Sequence, residues 1–156
     1  DSLCLVDCNN NDIVKFIEVR DYPTKSIFTP EGEGIYVCES NMGMDRGGKV
    51  KHIDVFTGEV INETLVGNYP IDICCDKEGN AYVSNFNDGS ISIVDCKEMK
   101  ERERIMVGGM PRGIVKYGEN LFVGDNLKNK VTKYNLKNRK IKTIPVGIEP
   151  NGMIIV

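Results

Sequence analysis

What this sequence lacks excludes several classes of function. It has no tryptophan, a single histidine (His52) and no Cys-x-x-Cys pair among its six cysteines. A zinc site of Cys and His residues needs ligand pairs at short spacing, so no metal site is predicted. No glycine-rich loop opens a helix that could bind a phosphate group, and we expect no cofactor. No run of 18 apolar residues predicts a membrane-spanning helix, and we expect no membrane partner.

Charge of one sign is also scarce. The chain has 20 basic and 23 acidic residues, for a net charge of −3. Nucleic-acid binding domains usually carry a basic stripe, often interleaved with aromatic residues, and this sequence has none. The basic segment 128–142 is interpreted as solvent-facing strand positions and a hairpin. The sequence therefore predicts no nucleic-acid partner.

The cysteines are interpreted as small buried side chains with free thiols. Four lie in predicted strands (Cys4, Cys38, Cys74 and Cys75), and Cys8 and Cys96 each follow an aspartate that ends a strand. Disulfides and metal binding are the less favoured alternatives. Free thiols are typical of a reducing compartment, so a cytoplasmic location is expected. A location at the cell surface would need a signal in a preceding region.

A turn that ends in proline recurs four times. Its prolines are Pro23, Pro70, Pro111 and Pro150, separated by 47, 41 and 39 residues. These spacings are in the range of propeller blades and solenoid repeats. Each turn is followed by an apolar run, a Gly-containing or acidic turn, an aromatic-valine strand and two further strands. Four short strands per repeat predict an all-β fold, a β-propeller of four-stranded antiparallel blades.

The repeats divide the chain into units within a single domain, 1–156. The units are approximately 1–22, 23–69, 70–110 and 111–149, and residues 150–156 form an inner strand of the next or closing blade. About four blades are expected, one of them incomplete. The segment 97–104 is charged almost all round, and we interpret it as a solvated connection between strands.

The strand motifs carry a family resemblance. Tyr82-Val83-Ser84-Asn85, and more loosely Tyr36-Val37-Cys38-Glu39 and Phe122-Val123-Gly124-Asp125, resemble the tetrapeptide of the YVTN β-propeller repeat family, which includes surface-layer and lactonase-like propellers. Val-Gly-x-x-Pro turns at Pro70, Pro111 and Pro150 support the resemblance, whereas Arg20 replaces the glycine in the first turn. The resemblance implies that the strand after each proline lies innermost, beside the central channel.

One strand is missing for ring closure, because the chain starts with two outer strands and ends with one inner strand. Three explanations remain open. The chain is a piece of a longer propeller, it pairs with a second copy as a homo-oligomer in a ring of about eight blades, or it closes alone as a four-bladed ring. Uncovered strand edges and blade faces are prone to association, so a covering partner is expected.

One loop interrupts the regular repeat. Val37 and Val50 are 13 residues apart, whereas the equivalent pairs in the later units are 8 apart. The insertion contains Met42, Met44, Asp45 and Arg46, and we expect it to overhang a channel mouth lined by Tyr69 and Arg112. Methionines on a glycine-rich loop suit an adaptable binding surface. The alternative is a tolerated surface insertion.

No catalytic residues are predicted. His52 occupies an ordinary strand position, and the recurring aspartates end equivalent strands. We therefore expect a non-enzymatic binding or scaffold propeller that presents its mouth to a protein or small ligand. The alternative is a lactonase-like hydrolase acting on a sugar lactone, with Thr24, Asp72, Arg112 and Asn151 facing the channel. A quinone- or metal-dependent oxidoreductase is disfavoured because ligand clusters and tryptophan are lacking.

Overall fold

The computed structural model describes residues 1–41, 43 and 47–155, and these form β-strands and connecting turns without a helix. No described residue therefore belongs to a helix that could cross a membrane. The strands are β1 (Ser2–Val6), β2 (Ile13–Glu18), β3 (Pro23–Phe28), β4 (Gly34–Glu39), β5 (Lys49–Asp54), β6 (Val60–Leu65), β7 (Pro70–Cys75), β8 (Asn80–Asn85), β9 (Ser90–Asp95), β10 (Lys100–Met106), β11 (Pro111–Tyr117), β12 (Asn120–Asp125), β13 (Lys130–Asn135) and β14 (Ile141–Pro145).

The strands form three four-stranded antiparallel sheets and one two-stranded hairpin. The sheets follow chain order, as β3-β4-β5-β6, β7-β8-β9-β10 and β11-β12-β13-β14, and we call them the first, second and third blades. The hairpin is β1-β2. The predicted all-β fold of four-stranded antiparallel blades is confirmed, with three complete blades and part of another.

The core is a row of interfaces between neighbouring blades. Tyr36, Cys38 and Val50 of the first blade pack against Ala81 and Val83 of the second. Equivalent clusters join the hairpin to the first blade and the second blade to the third. The second strand of the first blade, β4, is buried along its whole length, whereas β6 at the outer edge is mostly exposed. The inner ends of the blades are thereby held in a fixed relation to one another.

The segment 97–104 differs from its sequence interpretation. Its second half belongs to the strand β10, which runs from Lys100 to Met106 with alternating exposed and less exposed side chains. An outermost strand needs one apolar face at most, and ion pairs support the polar one. Arg102 pairs with Asp95 on β9, and Arg104 pairs with Glu101 at 2.9 Å. The interpretation of 97–104 as a solvated connection was wrong. It considered only a helix for this segment, and the charged residues lack the apolar stripe of a helix.

The C-terminal segment also differs from expectation. Residues 151–155 form no strand, although they lie beside β11, where a side chain at Gly113 would meet the Asn151 carbonyl oxygen at 2.5 Å. A strand needs a ladder partner, and no second strand of that blade follows in this sequence. The segment nevertheless lies against β11 and β12 of the third blade.

Candidate functional site

The proline turns place two sets of loops on one face of the blades. Tyr22 and Tyr69 precede their prolines with φ of 62° and 60°, a left-handed conformation that is unusual for a bulky residue. The Tyr22 carbonyl oxygen accepts a hydrogen bond from the Ser40 amide at 3.0 Å, and that of Tyr69 accepts one from Phe86 at 2.9 Å. Each turn is thus joined to the loop after its second strand. We call this side the mouth face.

Every inner strand begins with an irregularity. The register of β3 against β4 shifts between Pro23 and Lys25, and that of β7 against β8 shifts between Pro70 and Asp72. In β11 the shift lies between Pro111 and Ile114. A β-bulge leaves one residue unpaired and re-aims its side chain, and bulges are common next to functional sites. The residue after each proline therefore departs from the regular ladder.

These strand starts line one cavity, which we call the mouth cavity. Its volume is about 440 Å³, within the usual range for small-ligand sites. The lining residues are Thr24, Lys25, Ile71, Asp72, Arg112, Asn151 and Gly152. The structure thus brings together the four channel-side residues that the sequence singled out. They come from the first strand of each of the three blades and from the C-terminal segment.

Hydrogen bonds between blades hold the walls of the mouth cavity. Asp72 Oδ2 accepts a hydrogen bond from the Ile114 amide at 3.0 Å, which ties the second blade to the third. The Thr24 hydroxyl donates to the Pro70 carbonyl oxygen at 2.7 Å and ties the first blade to the second. The hydroxyl of the buried Ser84 donates to the Arg112 carbonyl oxygen at 2.6 Å. The backbone around the cavity is therefore fixed by the fold itself.

Arg112 is the predicted binding residue with the clearest placement. Its side chain lines the mouth cavity, is half-buried, and forms no hydrogen bond or ion pair with any described residue. Lys25 lies 3.9 Å from Asp72 Oδ1, a long ion pair between partly exposed groups. The cavity therefore holds two cationic side chains and one carboxylate.

Of the other predicted binding residues, only Tyr69 lies in the described part of the chain, on the mouth face. Tyr69 is half-buried in the turn before β7, with its ring 5.9 Å from that of Phe86. Met42, Met44, Asp45 and Arg46 lie outside the described residues. The loop that carries them, 40–48, has nine residues, whereas its counterparts 86–89 and 126–129 have four each. Its position after β4 places its base on the mouth face, beside Tyr22.

A second polar concavity, which we call the side groove, lies at the other end of β7. Its volume is about 430 Å³. Asp76 is buried there and accepts hydrogen bonds from the Tyr82 hydroxyl at 2.7 Å and the Asn80 amide at 2.9 Å. Lys116 of the third blade lies 3.2 Å from Asp76 and 3.3 Å from Glu78. Sequence reasoning missed this cluster, since Asp76 and Lys116 are 40 positions apart and only the packing of blades joins them.

The pKa of Asp76 reflects that setting. Burial alone would raise it, but the hydrogen bonds from Asn80, Tyr82 and Lys116 lower the pKa of Asp76 to about 2. The pKa of Tyr82 is raised by burial and by its bond to the same carboxylate. The charged form of Asp76 is thus stabilised by the folded structure.

The cysteines are free thiols, and two of them, Cys75 and Cys96 of the second blade, are in contact. The pKa of Cys96 is lowered, chiefly by a hydrogen bond from Cys75 and also by one from Tyr36. Cys75 ends β7 and Cys96 follows β9. The cytoplasmic location stays a prediction.

His52 has a structural setting. Its ring lies 4.9 Å from that of Tyr36, and burial lowers its pKa. The described part of the chain contains no group of three or more His, Cys, Asp or Glu residues placed to hold a metal ion. The residues that line the mouth cavity supply hydrogen-bonding groups and charged side chains.

No family model and no curated protein matches this chain. Solved structures do resemble it. Hydrazine synthase from Kuenenia stuttgartiensis superposes with a TM-score of 0.78 at 22% identity, over 92% of this chain and 43% of that one. The dihydro-heme d1 dehydrogenase NirN in complex with DHE gives 0.70 at 14% identity, over 95% and 33%. The WD40 repeats of RRP9 give 0.65 at 12% identity, over 83% and 40%.

These likenesses establish the fold. The neighbours are β-propeller proteins, and the chain is built of β-propeller blades. It spans less than half the length of each of the three neighbours. Identities of 12 to 22% carry no activity from one protein to another.

Proposed function

We propose that this chain is part of a non-enzymatic binding propeller, which receives a small ligand or a projecting group of a protein at its mouth face. The observation that carries the proposal is the mouth cavity, where the bulged starts of three inner strands converge. Its walls are held by bonds between blades, whereas the Arg112 side chain has no partner among the described residues. A rigid concave wall with an unused polar group is typical of a ligand site.

The neighbours support a binding role in general terms. One is a dehydrogenase in complex with DHE, and another consists of WD40 repeats. Binding residues of proteins often lie on loops that a rigid scaffold positions, and the mouth face is the end of the blades that carries the long loop 40–48.

We further propose that the repeats are of the YVTN type. The fourth residue of each tetrapeptide is buried beside the proline turn, as Glu39, Asn85 and Asp125. Glu39 accepts a hydrogen bond from the Arg20 amide at 3.2 Å, and Asp125 accepts one from Met110 at 3.1 Å. In the first and third blades the polar last residue of the motif thus binds the turn that leads into the inner strand. In the second blade the Asn85 amide instead donates to the Ser90 and Ser92 hydroxyls.

Nothing among the described residues favours the lactonase-like alternative. Thr24, Asp72, Arg112 and Asn151 do share the mouth cavity, as that hypothesis requires. However, both Asp72 oxygens accept backbone amide hydrogen bonds, from Ile73 and Ile114, at 3.0 Å each. The Thr24 hydroxyl donates to a backbone carbonyl oxygen. These groups serve the interfaces between blades.

Completion of the ring by a second copy stays a prediction. Phe16 of the N-terminal hairpin is 63% exposed, and Ile154 at the other end is 84% exposed, so both terminal faces present apolar side chains. Native mass spectrometry tests the prediction, which requires a species of twice the mass of the single chain; a monomer at every concentration would contradict it.

The binding proposal is tested by mapping a library of small soluble compounds on the isotope-labelled chain by NMR. We expect the amide signals of Ile71, Gly113 and Gly152 to shift with at least one compound. The amides of Glu78 and Glu119 in the side groove serve as the internal control and should not move. Shifts confined to the side groove, or to the outer strands, would contradict the proposal.

A loop variant tests the predicted role of the insertion. Deletion of residues 42–46 shortens the loop 40–48 from nine residues to the four of its counterparts. We expect weaker binding of any compound found by the mapping, with an unchanged unfolding midpoint because the blade strands are intact. Unchanged binding would identify the insertion as a tolerated surface loop.

A further inference from the structure

We infer that the mouth cavity binds a small anion, a compound bearing a carboxylate or phosphate group, with Arg112 as the principal contact. The inference rests on the proposed function, because it takes the mouth cavity as the binding site and adds the chemical class of the ligand.

Arg112 is held in place by its backbone contacts. It follows Pro111, and the register shift between Pro111 and Ile114 takes it out of the regular ladder. Its carbonyl oxygen accepts the hydrogen bond from Ser84, a fully buried residue of the second blade. The backbone that carries the guanidinium is thus fixed before any ligand arrives, which reduces the entropic cost of binding.

The guanidinium of Arg112 is suited to binding an anion. It offers five N–H donors in a planar fork that matches the two oxygens of a carboxylate or phosphate. Although the side chain is half-buried, none of these donors is bonded to a described residue. No guanidinium nitrogen of Arg112 is a buried polar atom without a partner, so its donors are in contact with water and are available to a ligand.

The charged side chains of the mouth cavity favour an anion. Asp72 is the carboxylate there, and its oxygens are occupied by two backbone amides and the distant Lys25 ammonium. Lys25 and Arg112 therefore exceed the negative charge of the cavity by one, although the whole chain has a net charge of −3. A local positive excess in a concave site attracts anions.

The size and shape of the mouth cavity suit a small ligand. About 440 Å³ accommodates a small organic anion rather than a long polymer. Asn151 lies at the rim, and its carbonyl oxygen approaches Gly113 so closely that a side chain at position 113 would displace it. Gly113 therefore keeps the C-terminal segment at the edge of the cavity, beside the guanidinium.

The experiment is a calorimetric titration of the full 156-residue chain with succinate, citrate and inorganic phosphate at low ionic strength, with neutral succinamide as the control compound. We expect at least one anion to bind and succinamide to bind at least tenfold more weakly. Arg112→Gln should weaken binding tenfold or more, and Arg112→Lys should restore part of it because the charge returns without the fork. Lys97→Gln, an exposed position on the turn between β9 and β10, is the matched control and should bind like the unmodified chain.

The outcomes separate the two proposals. Binding of carboxylates alone or phosphate alone identifies the anion and supports the inference. If no anion binds, or if Arg112→Gln binds as well as the unmodified chain, the inference is wrong. Neutral compounds that shift the amides of Ile71 and Gly113 in the mapping experiment would then leave the binding proposal standing. A spectrum of amide signals for Arg112→Gln that matches the unmodified chain outside the cavity excludes unfolding as the cause of lost binding.

Discussion

The mouth cavity and the side groove are nearly equal in volume and lie at opposite ends of β7, but their charges are arranged differently. In the side groove Asp76 and Glu78 both face Lys116, and Glu103 faces Arg139 at 2.8 Å. In the mouth cavity Arg112 faces no described partner. The two concavities therefore differ in their central charged group. The buried Asp76 of the side groove is paired within the fold, whereas Arg112 of the mouth cavity has no partner among the described residues.

The difference follows from the local backbone. The side groove is formed by the ordinary ends of strands and their tight turns, where Asp76 accepts the amides of its own turn. The mouth cavity lies where bulges and left-handed turns interrupt the ladders. Such irregular geometry is costly, and it is common at sites that bind ligands.

The largest expected effect is the removal of the central carboxylate of the side groove. Asp76→Ala leaves the buried Tyr82 hydroxyl without its acceptor and the Lys116 ammonium with the exposed Glu78 alone, so we expect a loss of about 3 kcal/mol in the free energy of unfolding. Urea denaturation measures it. Glu78→Gln removes an exposed partner of the same lysine and should cost less than about 0.5 kcal/mol. If the two variants lowered the free energy of unfolding equally, the buried Asp76 would stabilise the fold no more than an exposed carboxylate does, and the side groove would not be a stabilising site.

Lowering the pH should also reduce the free energy of unfolding through the same carboxylate, Asp76. Because the folded structure lowers the pKa of Asp76 to about 2 from its usual 3.8, the unfolded chain binds a proton more readily. The contribution of Asp76 to stability is complete above about pH 4 and is lost as the pH falls towards 2. Asp76→Asn should therefore flatten the stability profile in that interval, measured by urea denaturation at each pH. A profile as steep as that of the unmodified chain would show that other carboxylates are responsible.

A smaller effect is expected from the wall of the mouth cavity. Ser84→Ala removes the hydroxyl that bonds to the Arg112 carbonyl oxygen, and a buried acceptor without a partner costs about 1 to 2 kcal/mol. Thermal unfolding measures the loss. Ser26→Ala, on the exposed side of β3, is the control and should be neutral. A neutral Ser84→Ala would mean that the cavity wall is not held by this bond between blades.

The smallest expected effect on stability is that of Arg112 itself. Because its guanidinium forms no bond with a described residue, Arg112→Gln should change the free energy of unfolding by less than about 0.5 kcal/mol. Denaturation in the absence of any added anion measures this. A loss as large as that of Asp76→Ala would show that Arg112 completes a structural ion pair, and the two concavities would then be alike.

Much of the architecture was predictable from short-range patterns. The proline turns, the Tyr-Val strands and the alternation of polar and apolar residues are local signals, and they located the blades. The convergence of Thr24, Asp72, Arg112 and Asn151 was also predictable, since each lies one or two positions after its proline. The strand β10 was missed because its charged side chains are stabilised by partners on β9 and not by a stripe of their own.

By itself, the sequence determined that the chain forms repeated four-stranded blades, and which residues begin each inner strand. The tertiary structure decided which charges find partners, because partners such as Asp76 and Lys116 are far apart in the chain and meet only when neighbouring blades pack in one register. It also decided that Arg112 has no partner among the described residues, because Asp72, the carboxylate of its cavity, accepts a hydrogen bond from the Ile114 amide of the next blade. Pairing across blades depends on distances of a few ångströms, which no spacing along the chain can specify.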